Sequence, residues 1–90
     1  AAVRVRTDDG HEGLGQTACH GAEITVQLLH KLIAPFFLGI NPWELGAAVD
    51  RALQQSYKYH GSFRCRALCG VESAVWDLLG KLTGQPVYRL

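Results

Sequence analysis

The chain has 90 residues, enough for one small domain with a modest hydrophobic core. Hydrophobic residues make up 48% of it and charged residues 19%, which is typical of a globular chain and excludes an intrinsically disordered one. The net charge of +1 comes from scattered basic residues, so nothing indicates nucleic-acid binding, and no apolar run reaches the roughly 18 residues that a membrane span needs.

The cysteines and the start of the chain favour a cytoplasmic protein. Three cysteines, an odd number without paired spacing, do not indicate a disulfide framework, and the first residues lack the features of a signal peptide. Cys65 and Cys69 are four residues apart and follow His60, which would suit part of a zinc site. Because a fourth ligand and a Cys-x-x-Cys spacing are missing, we interpret both residues as small core cysteines.

The first 17 residues predict a β-hairpin. Ala2 to Thr7 and His11 to Thr17 read as strands, and Asp8-Asp9-Gly10 between them is a strong turn signal. Gly13 and Gly15 share one face of the second strand, where the missing side chains would let another element approach closely. A two-stranded hairpin is marginally stable by itself, so we expect another element to pair with it or cover it.

Three amphipathic helices are predicted after the hairpin. The first runs from about Ala22 to Ile33. Its apolar stripe consists of Ile24, Leu28, Leu29, Leu32 and Ile33. The second begins with Asn41 as N-cap and Pro42 at the first helical position. The third ends near Thr83, because Gly84 supplies a left-handed stop. Its stripe consists of Leu68, Val71, Val75, Leu78, Leu79 and Leu82. This order predicts an α+β fold, an antiparallel hairpin followed by a three-helix bundle.

The end of the chain also carries a family resemblance, in the segments Gly70-Val71-Glu72-Ser73-Ala74-Val75-Trp76-Asp77, Gly80-Lys81 and Gly84-Gln85-Pro86-Val87-Tyr88. This order resembles the end of the N-terminal capping domain in the mandelate racemase and muconate lactonizing branch of the enolase superfamily. Two earlier stretches are similar to that domain's second hairpin and helix junction, namely residues 7–16 and 33–42. The resemblance therefore covers essentially the whole chain.

The resemblance implies a protein larger than this chain. The family's capping domain has a three-stranded antiparallel sheet, so a first strand and the loop after it are expected before Ala1. The family's modified (β/α) barrel is absent from these residues and is expected after Leu90. Residues 1–90 are therefore interpreted as an incomplete capping (lid) domain. Since the family's metal ligands and catalytic base lie in the barrel, we expect no catalytic or metal-binding residue here and no activity of this fragment alone.

The chemistry that the resemblance implies is abstraction of a proton alpha to a carboxylate, with Mg²⁺ held by the barrel stabilising the enediolate. The substrate would be a small carboxylate or acid sugar, and an acid-sugar dehydratase is favoured. A racemase or a cycloisomerase of the muconate lactonizing type is the alternative within the superfamily, and a non-catalytic helical interaction module is the alternative outside it. The expected partners are the chain's own barrel and further copies in a homo-oligomer.

Capping domains of this family supply loops that close over the substrate. The loop from Gln16 to Gly21 aligns with one of them, and its substrate-binding candidates are Thr17, Cys19 and His20. Thr17 and His20 could form hydrogen bonds with the hydroxyl groups of a polyol acid; the alternative is that His20 is an exposed loop histidine. A second set of candidates near the start of the third helix is weaker, and a role as solvated loop residues is preferred for Tyr59, His60 and Arg64.

Overall fold

The hairpin at the start of the chain is present in the computed structural model, which describes residues 1–17, 21–56 and 61–89. Strand β1 (Ala2–Arg6) pairs antiparallel with strand β2 (Glu12–Gln16), and Arg4 lies opposite Leu14. The sheet has these two strands within the described residues. The third strand that the family resemblance implies stays a prediction.

The longest helix, α3 (Ser62–Thr83), lies across the hairpin and contacts both strands. Two glycines of β2 allow this contact. A Cβ built on Gly13 would lie 2.0 Å from the carbonyl oxygen of Ala74, and one built on Gly15 would lie 2.3 Å from that of Gly70. The close approach predicted from these glycines is therefore confirmed, and it brings the backbone of α3 against the backbone of β2.

The first predicted helix is less regular than its sequence pattern suggests. Helix α1 (Ala22–Leu28) continues as a π-helical turn (Leu29–Ile33) and then as a 3₁₀ turn (Ala34–Phe36). The prediction that Ile24 lies on the buried stripe is wrong, because its side chain is 50% exposed. Thr25 is fully buried instead, and its hydroxyl group donates a hydrogen bond to a carbonyl oxygen one turn earlier. The other four residues of the predicted stripe, Leu28, Leu29, Leu32 and Ile33, lie in the core cluster or pack against it.

Helix α2 (Leu45–Gln55) begins as the sequence predicts. The side-chain oxygen of Asn41 accepts a hydrogen bond of 3.0 Å from the N–H of Trp43, and Pro42–Glu44 forms a 3₁₀ turn that leads into the helix. A buried cluster then joins the hairpin to the helices through Val3, Ile33, Ala52, Ala67, Leu68, Val71 and Ala74. The α+β fold predicted from the sequence, a hairpin followed by three helices, is confirmed.

Helix α3 ends at Thr83, and Gly84 has the left-handed conformation expected of a stop, with a φ of 68°. Leu82, which the sequence pattern places on the buried stripe, is 36% exposed because it lies in the last turn, past the hairpin. A short 3₁₀ turn (Val87–Arg89) follows. None of the helices in the described part of the chain is long and apolar enough to cross a membrane.

Candidate functional site

The predicted lid loop joins β2 to α1, and both of its ends are fixed on α3. Thr17 is 5% exposed, and its methyl group packs against Gly70. Gly21, at the other end, has a φ of 66° and lies so close to Phe63 that a Cβ there would be 2.7 Å from the ring. Residues 18–20, and with them Cys19 and His20, lie outside the described residues. The described residues on either side of the loop, Thr17 and Gly21, therefore both contact α3.

The hydroxyl group of Thr17 faces the protein. It donates a hydrogen bond of 3.2 Å to the carbonyl oxygen of Ala1 and accepts one of 3.0 Å from the Ala1 amino group. The backbone N–H of Thr17 also donates to the Ala1 carbonyl oxygen, over 2.9 Å. In this structure Thr17 anchors the start of the loop, and a direct contact between Thr17 and a substrate stays a prediction.

The second predicted loop lies between α2 and α3. Its residues 57–60, which include Tyr59 and His60, lie outside the described residues. The Arg64 guanidinium holds the preceding segment by donating hydrogen bonds to the carbonyl oxygens of Ser56 (3.1 Å) and Leu53 (3.4 Å). These carbonyl groups belong to the C-terminal end of α2, where the helix leaves them without partners of its own. Arg64 therefore ties the end of α2 to α3.

Phe63 brings the ends of the two loops together. It lies two residues after Gly61, which follows the second loop, and it packs against Gly21, which ends the first. The guanidinium of Arg66 lies over the Phe63 ring, 4.9 Å from its centre. Gly21 and Gly61, which flank the two predicted loops, therefore both lie near the N-terminal end of α3. Sequence reasoning missed Phe63 and Arg66, because the contact with Gly21 joins distant parts of the chain and leaves no local pattern.

Asp77 of α3 fixes the outer edge of the hairpin. Its carboxylate accepts a hydrogen bond of 2.8 Å from the backbone N–H of Leu14 and forms an ion pair of 3.1 Å with Lys81, the pair that the i, i+4 spacing favours. The hydrogen bond from Leu14, more than the contact with Lys81, lowers the pKa of Asp77. This carboxylate therefore has a structural role.

Asp9 and Glu12 of the hairpin also form hydrogen bonds with neighbouring side chains. A hydrogen bond from His11 (3.0 Å), with a second from Thr7, lowers the pKa of Asp9 to about 2. A hydrogen bond from Arg6 (2.7 Å) lowers the pKa of Glu12. Among residues 1–17, 21–56 and 61–89, no group of three or more His, Cys, Asp or Glu could hold a metal ion. The described residues therefore do not fit the Mg²⁺ that the family implies.

Cys65 and Cys69 are both exposed on α3, so their interpretation as core cysteines is wrong. The buried face of this part of α3 is formed by Ala67, Leu68 and Val71, and the two cysteines lie on other faces. The sulfur of Cys69 lies 4.0 Å from the hydroxyl oxygen of Ser73. His60, the third group considered for zinc, is outside the described residues.

A hairpin covered by a long helix, with Gly21 and Gly61 near the N-terminal end of that helix, defines a small α+β domain. Over residues 1–90 the chain matches the family model described as "Mandelate racemase / muconate lactonizing enzyme, N-terminal domain". The chain therefore belongs to this family, and the resemblance found in the sequence is confirmed.

Individual relatives agree with this assignment. A D-mannonate dehydratase from Novosphingobium aromaticivorans is 29% identical over 89 residues, which cover 98% of this chain and 22% of the relative. A D-galactonate dehydratase family member from Pseudarthrobacter chlorophenolicus is 32% identical over 89 residues, with the same coverage. The crystal structure of a mandelate racemase/muconate lactonizing protein from Paracoccus denitrificans complexed with magnesium is 31% identical, with a TM-score of 0.91 over 98% of this chain and 24% of that one. The chain thus spans 22 to 24% of the length of these proteins.

Proposed function

We propose that residues 1–90 form the N-terminal capping domain of a Mg²⁺-dependent enzyme that removes a proton alpha to a carboxylate. The observation that carries this proposal is the contact of Phe63, two residues after Gly61, with Gly21, because these glycines are the described residues next to the two predicted loops. Loops that close over a substrate position it best when rigid elements hold both of their ends. The base and the metal ligands would come from a barrel outside these residues, in a protein about four times longer, as expected from the 22 to 24% coverage of the relatives.

The substrate class that we propose is an acid sugar, and the reaction is its dehydration. Two relatives carry the names D-mannonate dehydratase and D-galactonate dehydratase family member. The first loop supports this choice, because His20 adds a side chain that can form hydrogen bonds with the hydroxyl groups of such a substrate. Cys19 is a further candidate for this contact. We also propose that the enzyme acts on a small-molecule substrate, forms a homo-oligomer and is located in the cytoplasm.

A racemase or cycloisomerase is the second candidate. It is supported by the 31% identity and the TM-score of 0.91 to a mandelate racemase/muconate lactonizing protein that was crystallised with magnesium. The products separate the two candidates, because dehydration of an acid sugar releases water and forms a keto acid whereas racemisation returns an acid of the same composition. A coding sequence that continues beyond Leu90 into a barrel would exclude the non-catalytic interaction module.

The first experiment is an assay of the full-length protein that contains this chain. Acid sugars such as D-mannonate and D-galactonate are incubated with the enzyme and Mg²⁺, and the formation of a keto acid is measured. We expect turnover of at least one acid sugar, and we expect a chelator to abolish it. Epimerisation without loss of water would favour the racemase, and a lack of any reaction over a panel of acid sugars would contradict the dehydratase.

The second experiment replaces His20 by alanine in the full-length protein. Loss of one or two hydrogen bonds to the substrate is expected to cost about 1 to 3 kcal/mol, which is roughly a 5- to 150-fold loss in kcat/KM. The loss should be larger for acids with a distal hydroxyl group than for their deoxy analogues. The control is His11→Ala, since His11 lies at the opposite end of β2. Equal losses for both kinds of substrate, or none, would make His20 an ordinary loop residue.

A further inference from the structure

The outer face of α1 and of the π-helical turn after it is largely apolar and lies between two opposite charges. It forms a shallow groove of about 470 Å³ lined by Glu23, Ile24, Gln27, Leu28, Lys31 and Leu32. The side chain of Ile24 is 50% exposed there. An exposed isoleucine next to other apolar side chains on one face is a feature of surfaces that bind another protein.

We propose that this face, residues 23–32, binds the same face of a second copy of the protein in an antiparallel arrangement. Glu23, Gln27 and Lys31 all line this groove and follow one another along the chain, with Glu23 before Gln27 and Lys31 after it. A two-fold axis through Gln27 places Glu23 of each copy opposite Lys31 of the other. A two-fold interface must be complementary to itself, and this arrangement of charges meets that condition.

The charges on this face favour an antiparallel orientation, and they favour a second copy of the protein as the binding partner. The ion pairs found among the described residues involve other side chains, so Glu23 and Lys31 can both pair across an interface. A parallel arrangement in register would place Glu23 opposite Glu23 and Lys31 opposite Lys31, and like charges in contact oppose association. The antiparallel arrangement forms two ion pairs and covers Ile24 on both copies.

The area of this face indicates that it forms one part of a larger interface. A stable interface buries about 800 Å² on each partner, which is more than the exposed side of three helical turns provides. We therefore place this contact within the homo-oligomer of the full-length protein, where other surfaces add to it. It does not depend on the reaction proposed above, so a failure of the catalytic assay leaves it untouched, and the reverse also holds.

Charge reversal tests the pairing directly, by sedimentation equilibrium of the full-length protein. Glu23→Lys and Lys31→Glu should each raise the dissociation constant of the oligomer by about tenfold or more, and the double variant should return it to within about threefold of the parent. Asp50→Lys, on the exposed side of α2, is the matched control and should have no effect. Circular dichroism checks that each variant keeps its helix content. A monomeric parent, unchanged single variants, or a double variant that is not restored would overturn the proposal.

Cross-linking tests the position of the two-fold axis. Gln27→Cys is introduced together with Cys19→Ser, Cys65→Ser and Cys69→Ser, so that the new thiol is the only one in these residues. Mild oxidation should give a covalent dimer rapidly, because an axis through Gln27 brings the two thiols together. Gln54→Cys, exposed on α2, should cross-link far more slowly. Equal cross-linking rates for the two variants would overturn the proposal. A thiol at position 27 that resists labelling in the monomer would also overturn it, because another part of the same protein would then cover this face.

Discussion

At the scale of single residues, Asp77 closes one edge of the sheet. The N–H of Leu14 points away from β1, toward the edge where another strand could bind, and the Asp77 carboxylate occupies it. Unpaired strand edges are sites of further pairing. The outer edge of β2 is therefore partly blocked, and the family's additional strand is expected to pair with β1. The i, i+4 spacing of Asp77 and Lys81 accounts for their ion pair, but no local pattern indicates the bond to Leu14, because that contact connects distant parts of the chain.

Replacing Asp77 measures this contact. Asp77→Ala removes both the acceptor for the Leu14 N–H and the partner of Lys81, and we expect a loss of about 1 to 3 kcal/mol in the free energy of unfolding. Asp77→Asn keeps one acceptor oxygen and should lose less. Urea denaturation provides the measurement, and Asp50→Ala, on the exposed side of α2, is the control. If the two alanine variants were equally stable, the edge contact would have no energetic role.

The same carboxylate should make stability depend on pH in the acid range. Its pKa in the folded state is lowered below the ordinary value of 3.8, so the folded state binds a proton there less readily than the unfolded state. The stabilisation is complete above the unfolded pKa and is lost as the pH falls through the folded one. The difference in stability between the parent and Asp77→Asn should therefore shrink between about pH 5 and pH 2. A difference that stays constant over this range would contradict the assignment.

Arg64 provides a second test at this scale, because a structural and a substrate-binding role predict different results. Removing its bonds to the carbonyl oxygens of Leu53 and Ser56 should lower the free energy of unfolding by about 1 to 2 kcal/mol. Arg51→Ala, on the exposed side of α2, should change stability much less. In the full-length enzyme Arg64→Ala should leave KM nearly unchanged. A large rise in KM at unchanged stability would instead support the substrate contact considered from the sequence.

At the scale of elements, the close contact between β2 and α3 determines the architecture. Gly13 and Gly15 let the helix backbone reach the strand, and the helix contributes a glycine of its own at Gly70. A Cβ on Gly70 would lie 2.5 Å from the methyl carbon of Thr17. Thr17, at the start of the predicted lid loop, therefore packs against α3 through the same close contact that packs β2 against the helix.

Alanine substitutions should show how tight this contact is. Gly15→Ala places a methyl group 2.3 Å from a backbone oxygen, which neither element can avoid without moving, and we expect a loss of at least about 3 kcal/mol or failure to fold. Gly13→Ala should behave alike. Gly46→Ala, in an open position on α2, is the matched control and should raise stability by about 0.5 to 1 kcal/mol. Thermal unfolding compares the three, and a mild effect of Gly15→Ala would contradict the backbone contact.

The sequence predicted those elements that depend on local signals. The Asp-Gly turn, the Asn41 cap and the Gly84 stop each act within a few residues, and all three are present. The π-helical turn was not foreseen, because the apolar stripe from Ile24 to Ile33 fits a regular helix equally well. The exposure of Cys65 was also missed. Of the candidate site, the family motif predicted the loops, whereas the support from Phe63 depends on tertiary packing that no local pattern records.

At the scale of the whole molecule, the chain leaves several large apolar side chains exposed near the ends of its helices, among them Leu38 (75%), Trp43 (59%) and Tyr88 (83%). Phe36 and Phe37 are half-buried against the core. Large exposed apolar side chains in a small domain indicate surfaces that another domain or subunit covers. In the proposed enzyme the barrel would cover part of this surface.

Residues 1–90 produced alone should therefore self-associate. Sedimentation at several concentrations is expected to show a mass that rises with concentration, and the double variant Leu38→Gln and Tyr88→Gln should weaken that rise. Leu14→Gln, which removes an exposed leucine of the hairpin, is the control and should change little. A parent chain that stays monomeric and unfolds in a single cooperative step would indicate an autonomous domain.

The position of α3 at the end of this domain has a consequence for synthesis on the ribosome. Within these residues the hairpin emerges before the helices, yet it is only marginally stable by itself, and the helix that covers it follows α1 and α2. Until residues 62–83 have emerged, the glycine face of β2 lacks the helix backbone that it packs against. The two strands and Thr17, at the start of the predicted lid loop, are therefore expected to reach their final arrangement only when α3 leaves the exit tunnel.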